Sequence, residues 1–293
     1  MAPEPNDVTV AEMENARLMA IIRLGRFAEC EAVAQRAGRA IERLLRPDLG
    51  YPVWINAASA LACAGDLAAA LRCADRGIAA TRSAPVVALP CLAARAHLLA
   101  RLGRHDEAAG TVAELLATAE RLDSAPMLAT ARHDAGLVAL AGGRHCEAVK
   151  LLVAALDADA AVSRPAARLA LAEALALDGA AADAGAELRR AVLEPVGPGD
   201  QAWALVPRMA RVQGLVARAR GDADEARRRL AESARGWRRR GGATGRQVGE
   251  EFMASLVDLG RPPVVGLVEP DRELARVTAE LAELEEAGCP SSR

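Results

Sequence analysis

Aromatic side chains are scarce: two Phe, one Tyr and three Trp among 293 residues, 2% of the chain. The aromatic and β-branched clusters that mark strands are missing with them, so sheet is not expected. No stretch of about 18 uninterrupted apolar residues occurs, and the opening MAPEPNDVTV has no basic flank leading into an apolar segment. A soluble, cytoplasmic protein with no membrane partner is expected. Cysteines at 30, 63, 73, 91, 146 and 289 form no CxxC pair and no zinc-type spacing; each reads as a small apolar residue. GxSxG, HExxH and GxxxxGK[ST] are all missing. Neither catalytic residues, nor a metal, nor a cofactor is expected.

Apolar residues make up 52% of the chain and are nearly all Ala, Leu and Val, a mixture that enters helices at little cost. The fold class is therefore all-α. One phrase recurs six times: GRFAEC (25–30), GDLAAA (65–70), GRHDEA (103–108), GRHCEA (143–148), GAAADA (179–184) and GDADEA (221–226), at offsets of 40, 38, 40, 36 and 42 residues. Seven residues before each glycine stand Leu18, Ala58, Ala96, Gly136, Ala172 and Gly214; five after it stand Cys30, Ala70, Ala108, Ala148, Ala184 and Ala226. Small residues at matched places let two helices approach, and the glycine lets the first end in a left-handed cap. Each unit is predicted to be a helical hairpin.

The phrase, with its Gly-Asp-like turn and early Ala in GDLAAA and GDADEA, and with Trp54 eleven residues before Gly65, resembles the tetratricopeptide repeat (TPR). The resemblance covers residues 10–240. It implies a right-handed superhelical solenoid of about six hairpins, whose first helices line a concave groove. That family repeats every 34 residues or so. The longer units here imply longer inter-hairpin loops, in RPDLGYP, TRSAPVV, RLDSAP, VSRP and EPVGPGD, each with a proline that cannot continue a helix. The Ala/Leu/Arg-rich units are also similar to the helical repeats of bacterial LuxR-type and antibiotic-regulatory transcriptional activators. Only the repeat module is carried over, since neither their P-loop nor a clear helix-turn-helix is evident.

His105 and His145 follow their turn glycines by two residues, where other units place Phe27 and Leu67. They read as packing positions, not as a shared metal site, which would need three or four converging ligands. His97 and His133 instead fall on first helices, at offsets similar to the family's groove-facing places, and Asn15, Ser59, Arg101, Arg208, Arg211 and Arg218 occupy comparable offsets. These eight residues are the candidate partner-binding groove. Asp134 beside His133, with Glu173 one unit on, has no positioned nucleophile to serve.

Charge is uneven. From Leu205 to Arg246 twelve Arg face four acids, although the chain's net charge is −2, and Arg227, Arg228, Arg229 and Arg238, Arg239, Arg240 form two triplets. These six are candidates for an anion-binding face. Residues 247–293 hold ten acids to four bases and could cover that face, within the chain or across a dimer. Organisation follows as a tail over 1–9, the array over 10–240, a capping helix over 241–262, and a linker with an amphipathic helix over 263–293. The last carries Leu274, Val277, Leu281 and Leu284, a stripe suited to docking or to pairing two copies in a homodimer. The leading function is a non-enzymatic adaptor in bacterial regulation that binds a peptide or partner protein in its groove. The alternative is a transcription-linked regulator whose basic 205–246 face meets nucleic acid or an acidic partner.

Overall fold

A computed structural model describes residues 7–44, 47–158, 164–194, 202–239 and 270–288. Among them are thirteen α-helices and no strand. Twelve pair into six consecutive hairpins: α1 (Asp7–Arg23) with α2 (Cys30–Leu44), α3 (Pro47–Cys63) with α4 (Leu67–Ala80), and α5 (Pro85–Arg101) with α6 (His105–Arg121). Then come α7 (Ala125–Ala141) with α8 (His145–Asp157), α9 (Arg164–Leu177) with α10 (Ala181–Leu193), and α11 (Ala202–Ala219) with α12 (Ala223–Arg238). The hairpins stack in chain order into a right-handed superhelical solenoid. A further helix, α13 (Pro270–Gly288), packs against α12. The expected capping helix over 241–262 lies outside the described residues, and α13 covers the apolar side of α12.

All six phrase glycines have left-handed φ, from +71° at Gly25 to +87° at Gly179. The residue after each closes a six-residue loop back to the helix it leaves, as in Arg104 N–H to Leu99 C=O at 2.9 Å and Asp222 N–H to Ala217 C=O at 3.0 Å. This satisfies carbonyls that the helix end would otherwise leave bare. Outside unit five, where it is Ala180, the turn's second residue has two solutions. Asp66 and Asp222 cap the next helix, accepting from the Ala69 and Glu225 N–H groups at 3.0 Å. Where that residue is arginine, it pairs with the glutamate three residues on: Arg104 with Glu107 at 2.6 Å and Arg144 with Glu147 at 2.8 Å. GRHDEA and GRHCEA are thus one structural phrase. Their histidines lie beside this pair, and among the described residues no three metal-ligating side chains gather anywhere.

In units four and six the matched small residues meet. A methyl group on Gly136 would sit 2.7 Å from Leu152 Cγ and 3.5 Å from the Ala148 carbonyl; on Gly214 it would sit 2.8 Å from Leu230 Cγ and 3.3 Å from the Ala226 carbonyl. The geometry of unit four recurs in unit six because residue size recurs. Trp54, 3% exposed, is gripped similarly, its indole lying where a Gly38 side chain would be and its Cβ close to Gly77.

Where the junction between hairpins is wholly described the extra unit length is not in the loop; part of VSRP and most of EPVGPGD lie outside the described residues. Residues 81–84 and 122–124 suffice to join hairpins, whereas α1, α3, α5 and α7 are each 17 residues long. The prolines start the following helices: Pro47 and Pro85 are first in α3 and α5, and Pro126 and Pro165 second in α7 and α9. A fixed φ suits the first turn, where the N–H needs no partner.

Gly136→Ala should destabilise the protein by about 1–3 kcal/mol, because overpacking exceeds the helix-propensity gain of about 1 kcal/mol. Gly110→Ala, on α6 with nothing within 4 Å of the added methyl, should stabilise it by about 0.5–1 kcal/mol. Urea denaturation of both variants checks the pair of signs.

Candidate partner-binding groove

Successive first helices touch at every step from α1–α3 to α9–α11, whereas second helices do so to a like degree only between α2 and α4. First helices therefore lie on the inside of the curve. Six or ten residues before its turn glycine, each presents one polar side chain: Asn15, Ser59, His97, His133, Glu173 and Arg211, in unit order. The two offsets differ by four residues, so they share a helical face and form a polar seam along the inner surface. Much of it is buried, with Ser59 at 0%, His133 at 7%, Glu173 at 4% and Arg211 at 2% exposure.

The far half of this surface is occupied by the chain's own α13. Arg211 donates to both Glu280 oxygens, at 2.6–3.1 Å, and to Glu173 Oε1 at 2.7 Å. Arg276, on α13, reaches the same Glu173 oxygen at 2.8 Å. A buried cation, Arg211, a more exposed one, Arg276, and two carboxylates thus close a balanced network between α9, α11 and α13. Further along, Arg218 bonds Glu283 at 3.0 Å and Arg227 approaches the Leu284 carbonyl at 3.4 Å. On the apolar side Val277 and Leu284 are buried with Leu230, Ala234 and Trp237, while Leu274 and Leu281 pack against that cluster. Burial alone would raise the Glu173 carboxyl, but Arg211, Arg276 and Arg208 outweigh it and hold the pKa at about 2. Burial likewise opposes the charge on Arg211, and Glu173 and Glu280 overcome it, holding the guanidinium above its ordinary value.

The near half is less satisfied. Asn15 Oδ1, Asn56 Oδ1 and His97 Nδ1 are sealed from solvent without a hydrogen-bond partner among the described residues. Burial, then the Arg101 charge and the more distant Arg272, push His97 down to about 4, against the pull of Asp134. Arg101 donates to the Ala62 carbonyl at 3.2 Å; burial first, and then Arg272, lower it to about 10. His133 Nδ1 stands 3.2 Å from Asp134 Oδ1.

Not every expected groove residue faces a partner. Ser59 is fully buried and donates to the Ile55 carbonyl of its own helix at 2.8 Å, so its hydroxyl is spent locally. Arg211 is closed by Glu173 and Glu280, and Arg218 is drawn to Glu283. Arg208 adds positive charge beside Glu173. Asn15, His97, Arg101 and the buried His133 belong to the half that α13 leaves less occupied. Glu173, Arg276, Glu280 and Glu283 were missed as site residues. The available signal was an acid at the seam offset of unit five and an acidic pair, three residues apart, opposite an Arg-rich helix.

The first arginine triplet does not form a bare anion face. Arg227 pairs with Asp224 at 2.9 Å, Arg228 with Glu225, and Arg229 with Glu225 at 2.8 Å and Glu232 at 3.1 Å. Arg238 and Arg239 are exposed, and Arg240 lies outside the described residues. Between α10, α11 and α12 a cleft of 230 Å³, lined by Arg189, Gln213, Arg220 and Arg229 among others, is below the roughly 300–1,000 Å³ of ligand pockets. No helix among the described residues is long and apolar enough to cross a membrane.

No protein-family model matches the chain, and no curated protein matches it in sequence. Solved structures do resemble it. A Rap protein complexed with Competence and Sporulation Factor has a TM-score of 0.56 at 13% identity, covering 96% of this chain and 78% of its own. The apo form of RapI gives 0.58 at 11% identity, with 91% and 99% covered. Pseudomonas aeruginosa pilF gives 0.51 at 15% identity, with 85% and 98% covered. These likenesses establish a TPR-like helical-repeat fold.

Removing both sides of the buried network should cost less than the two single losses added together. Glu173→Gln should lose about 3–5 kcal/mol by leaving Arg211 undercompensated, and Glu173→Met with Arg211→Met clearly less than the sum of the single changes, as read by urea unfolding. His97 gives a separate window. Its folded pKa of about 4 lies below the ordinary 6.5, so the unfolded chain takes up the proton first. Stability is then full above pH 6.5 and falls, by at most about 3 kcal/mol, as pH drops toward 4. Glu173 acts below that window, losing its contribution as pH falls from 4.5 toward 2. His97→Asn should flatten the decline between pH 7 and 4.5 in urea midpoints.

Proposed function

We propose that the chain is a non-enzymatic adaptor, acting in bacterial regulation within the cytoplasm, whose inner groove binds a peptide or an extended segment of a partner protein. The observation that carries this reading is the unsatisfied near half of the seam. Asn15, Asn56 and His97 hold polar atoms out of water with no hydrogen-bond partner among the described residues. Such atoms cost free energy as the groove stands, and a side-chain rotation that turned them toward the groove would offer them to a ligand. A peptide backbone carries donors and acceptors along its whole length and suits a seam running from unit to unit. Stacked hairpins also present this surface ready-made, so little ordering is needed on the receptor side. One similar fold, the Rap protein, was solved in complex with Competence and Sporulation Factor, an instance of this architecture holding a second molecule. The pairing of Arg227, Arg228 and Arg229 with acids on their own helix argues against nucleic acid as the first partner.

The test is affinity capture from the native host with intact chain and with a His97→Leu, Arg101→Gln double variant. A specific protein or peptide recovered by the intact chain should be depleted at least tenfold by the variant at unchanged helix content. Equal recovery would move the binding surface away from the near groove.

A further inference from the structure

We propose that the inner wall formed by α9, α11 and α12 is a receptor for an acidic amphipathic helix on a partner protein, and that α13 occupies it as a built-in stand-in. It concerns the far half of the groove, apart from the near half on which the adaptor reading rests, and it names the chemistry of what binds there.

Charge is the first argument. Glu173 is the one acid in α9 and α11, set against Arg168, Arg208, Arg211 and Arg218. Glu187 and Glu194 of α10 and the following turn hold Arg168, leaving the three arginines of α11 to face the groove's contents. An occupant must bring carboxylates, and α13 brings Glu280 to Arg211 and Glu283 to Arg218. The two arginines are seven residues apart, two turns of α11, so the carboxylates must come from a helix crossing at the register α13 adopts. Shape is the second argument. Val277 and Leu284, one heptad apart on α13, fill the apolar side beside Leu230, Ala234 and Trp237. The recognised pattern is therefore apolar, two residues, Glu, two residues, Glu-apolar, as in Val277, Glu280, Glu283 and Leu284.

An empty wall is disfavoured, since it would strand Arg211 with Glu173 alone and bare the apolar side of α12. The wall exchanges occupants; it does not stand vacant. Residues 240–269 join α12 to α13 in the chain, so α13 competes for the wall as part of the same molecule, at a high effective concentration. A partner helix must outcompete this, and its apparent Kd rises in proportion as the open fraction falls. The stand-in thus admits partners that match the pattern and excludes weak ones.

The experiment uses the full chain and a Glu280→Gln, Glu283→Gln variant that keeps the apolar stripe. A fluorescein-labelled peptide of residues 270–288 is titrated into each by anisotropy. The variant should bind it at least tenfold more tightly than the unaltered chain, and a peptide carrying Glu280→Lys and Glu283→Lys should not bind. In the full chain with those two glutamine changes, adding Arg218→Glu should weaken the native peptide and restore a Glu283→Arg peptide. Equal affinity for both chains, or indifference to Arg218, would overturn the proposal. So would a concentration-dependent dimer of the variant that takes up no peptide, which would make a second copy the occupant. Should the double variant lose helix content, Glu283→Gln alone touches only the exposed pair and should still tighten peptide binding about threefold; no change would sink the idea. Peptide binding with no host partner captured by the near groove would retain this receptor while removing the adaptor reading. Capture without peptide binding would do the reverse.

Discussion

Six glycines in left-handed conformation, at φ between +71° and +87°, set the geometry on which the rest of the molecule depends. Each ends its first helix at one point in the repeat and sends the chain back at one angle. The residues seven before and five after it are thereby brought close, and they are mostly small; where the earlier one is glycine, as at Gly136 and Gly214, a leucine takes the space. Because the turn fixes the rotation of each first helix, side chains six and ten residues before it emerge on the same side in every unit. The polar seam along the inner surface is a consequence of that rotation.

The seam's two halves solve the cost of buried polarity differently. Toward the C-terminal end, ionised groups are taken out of water and answered completely: Glu173 and Arg211 by each other, by Arg276 and by Glu280. Toward the N-terminal end Asn15 and His97 hold polar atoms incompletely answered, while the Arg101 guanidinium meets the Ala62 carbonyl. An isolated buried ion costs far more than a lone amide or imidazole. The half that buries an ionised pair therefore has an occupant, and the half that carries Asn and His tolerates going without.

Much of the architecture was legible because it is governed by local chemistry that repeats. Glycine against Ala, Leu and Asp at fixed offsets reports a turn in each of six places, and the structure has a turn in each. The placement of prolines was read less well. A proline cannot continue a helix, but at the first turn a missing N–H is no loss, and Pro85 and Pro126 begin theirs. The site was harder to read, since it depends on sequence-distant pairs: Arg211 and Glu280 are 69 residues apart, and Arg276 and Glu173 are 103. No periodicity links them. His97 and His133 stand out as rare residues; Glu173 draws notice only beside His133 and Asp134, and its pairing with Arg211 and Arg276 is invisible within one unit's sequence.

The stripe of Leu274, Val277, Leu281 and Leu284 shows why one pattern supports several structures. An amphipathic helix states that it needs an apolar face to cover, and α12 states the same through Leu230, Ala234 and Trp237. Hydrophobic matching alone would accept many registers and either polarity of the helix. The ion pairs remove that freedom: Glu280 and Glu283 reach Arg211 and Arg218 only in one register, and Arg276 then falls against Glu173. Apolar area supplies most of the attraction and the charges choose among its arrangements, since mispaired ions at this depth would be penalised more than well-paired ones are rewarded. The same division explains how α13 both ends the repeat array and imposes a chemical identity on whatever would replace it.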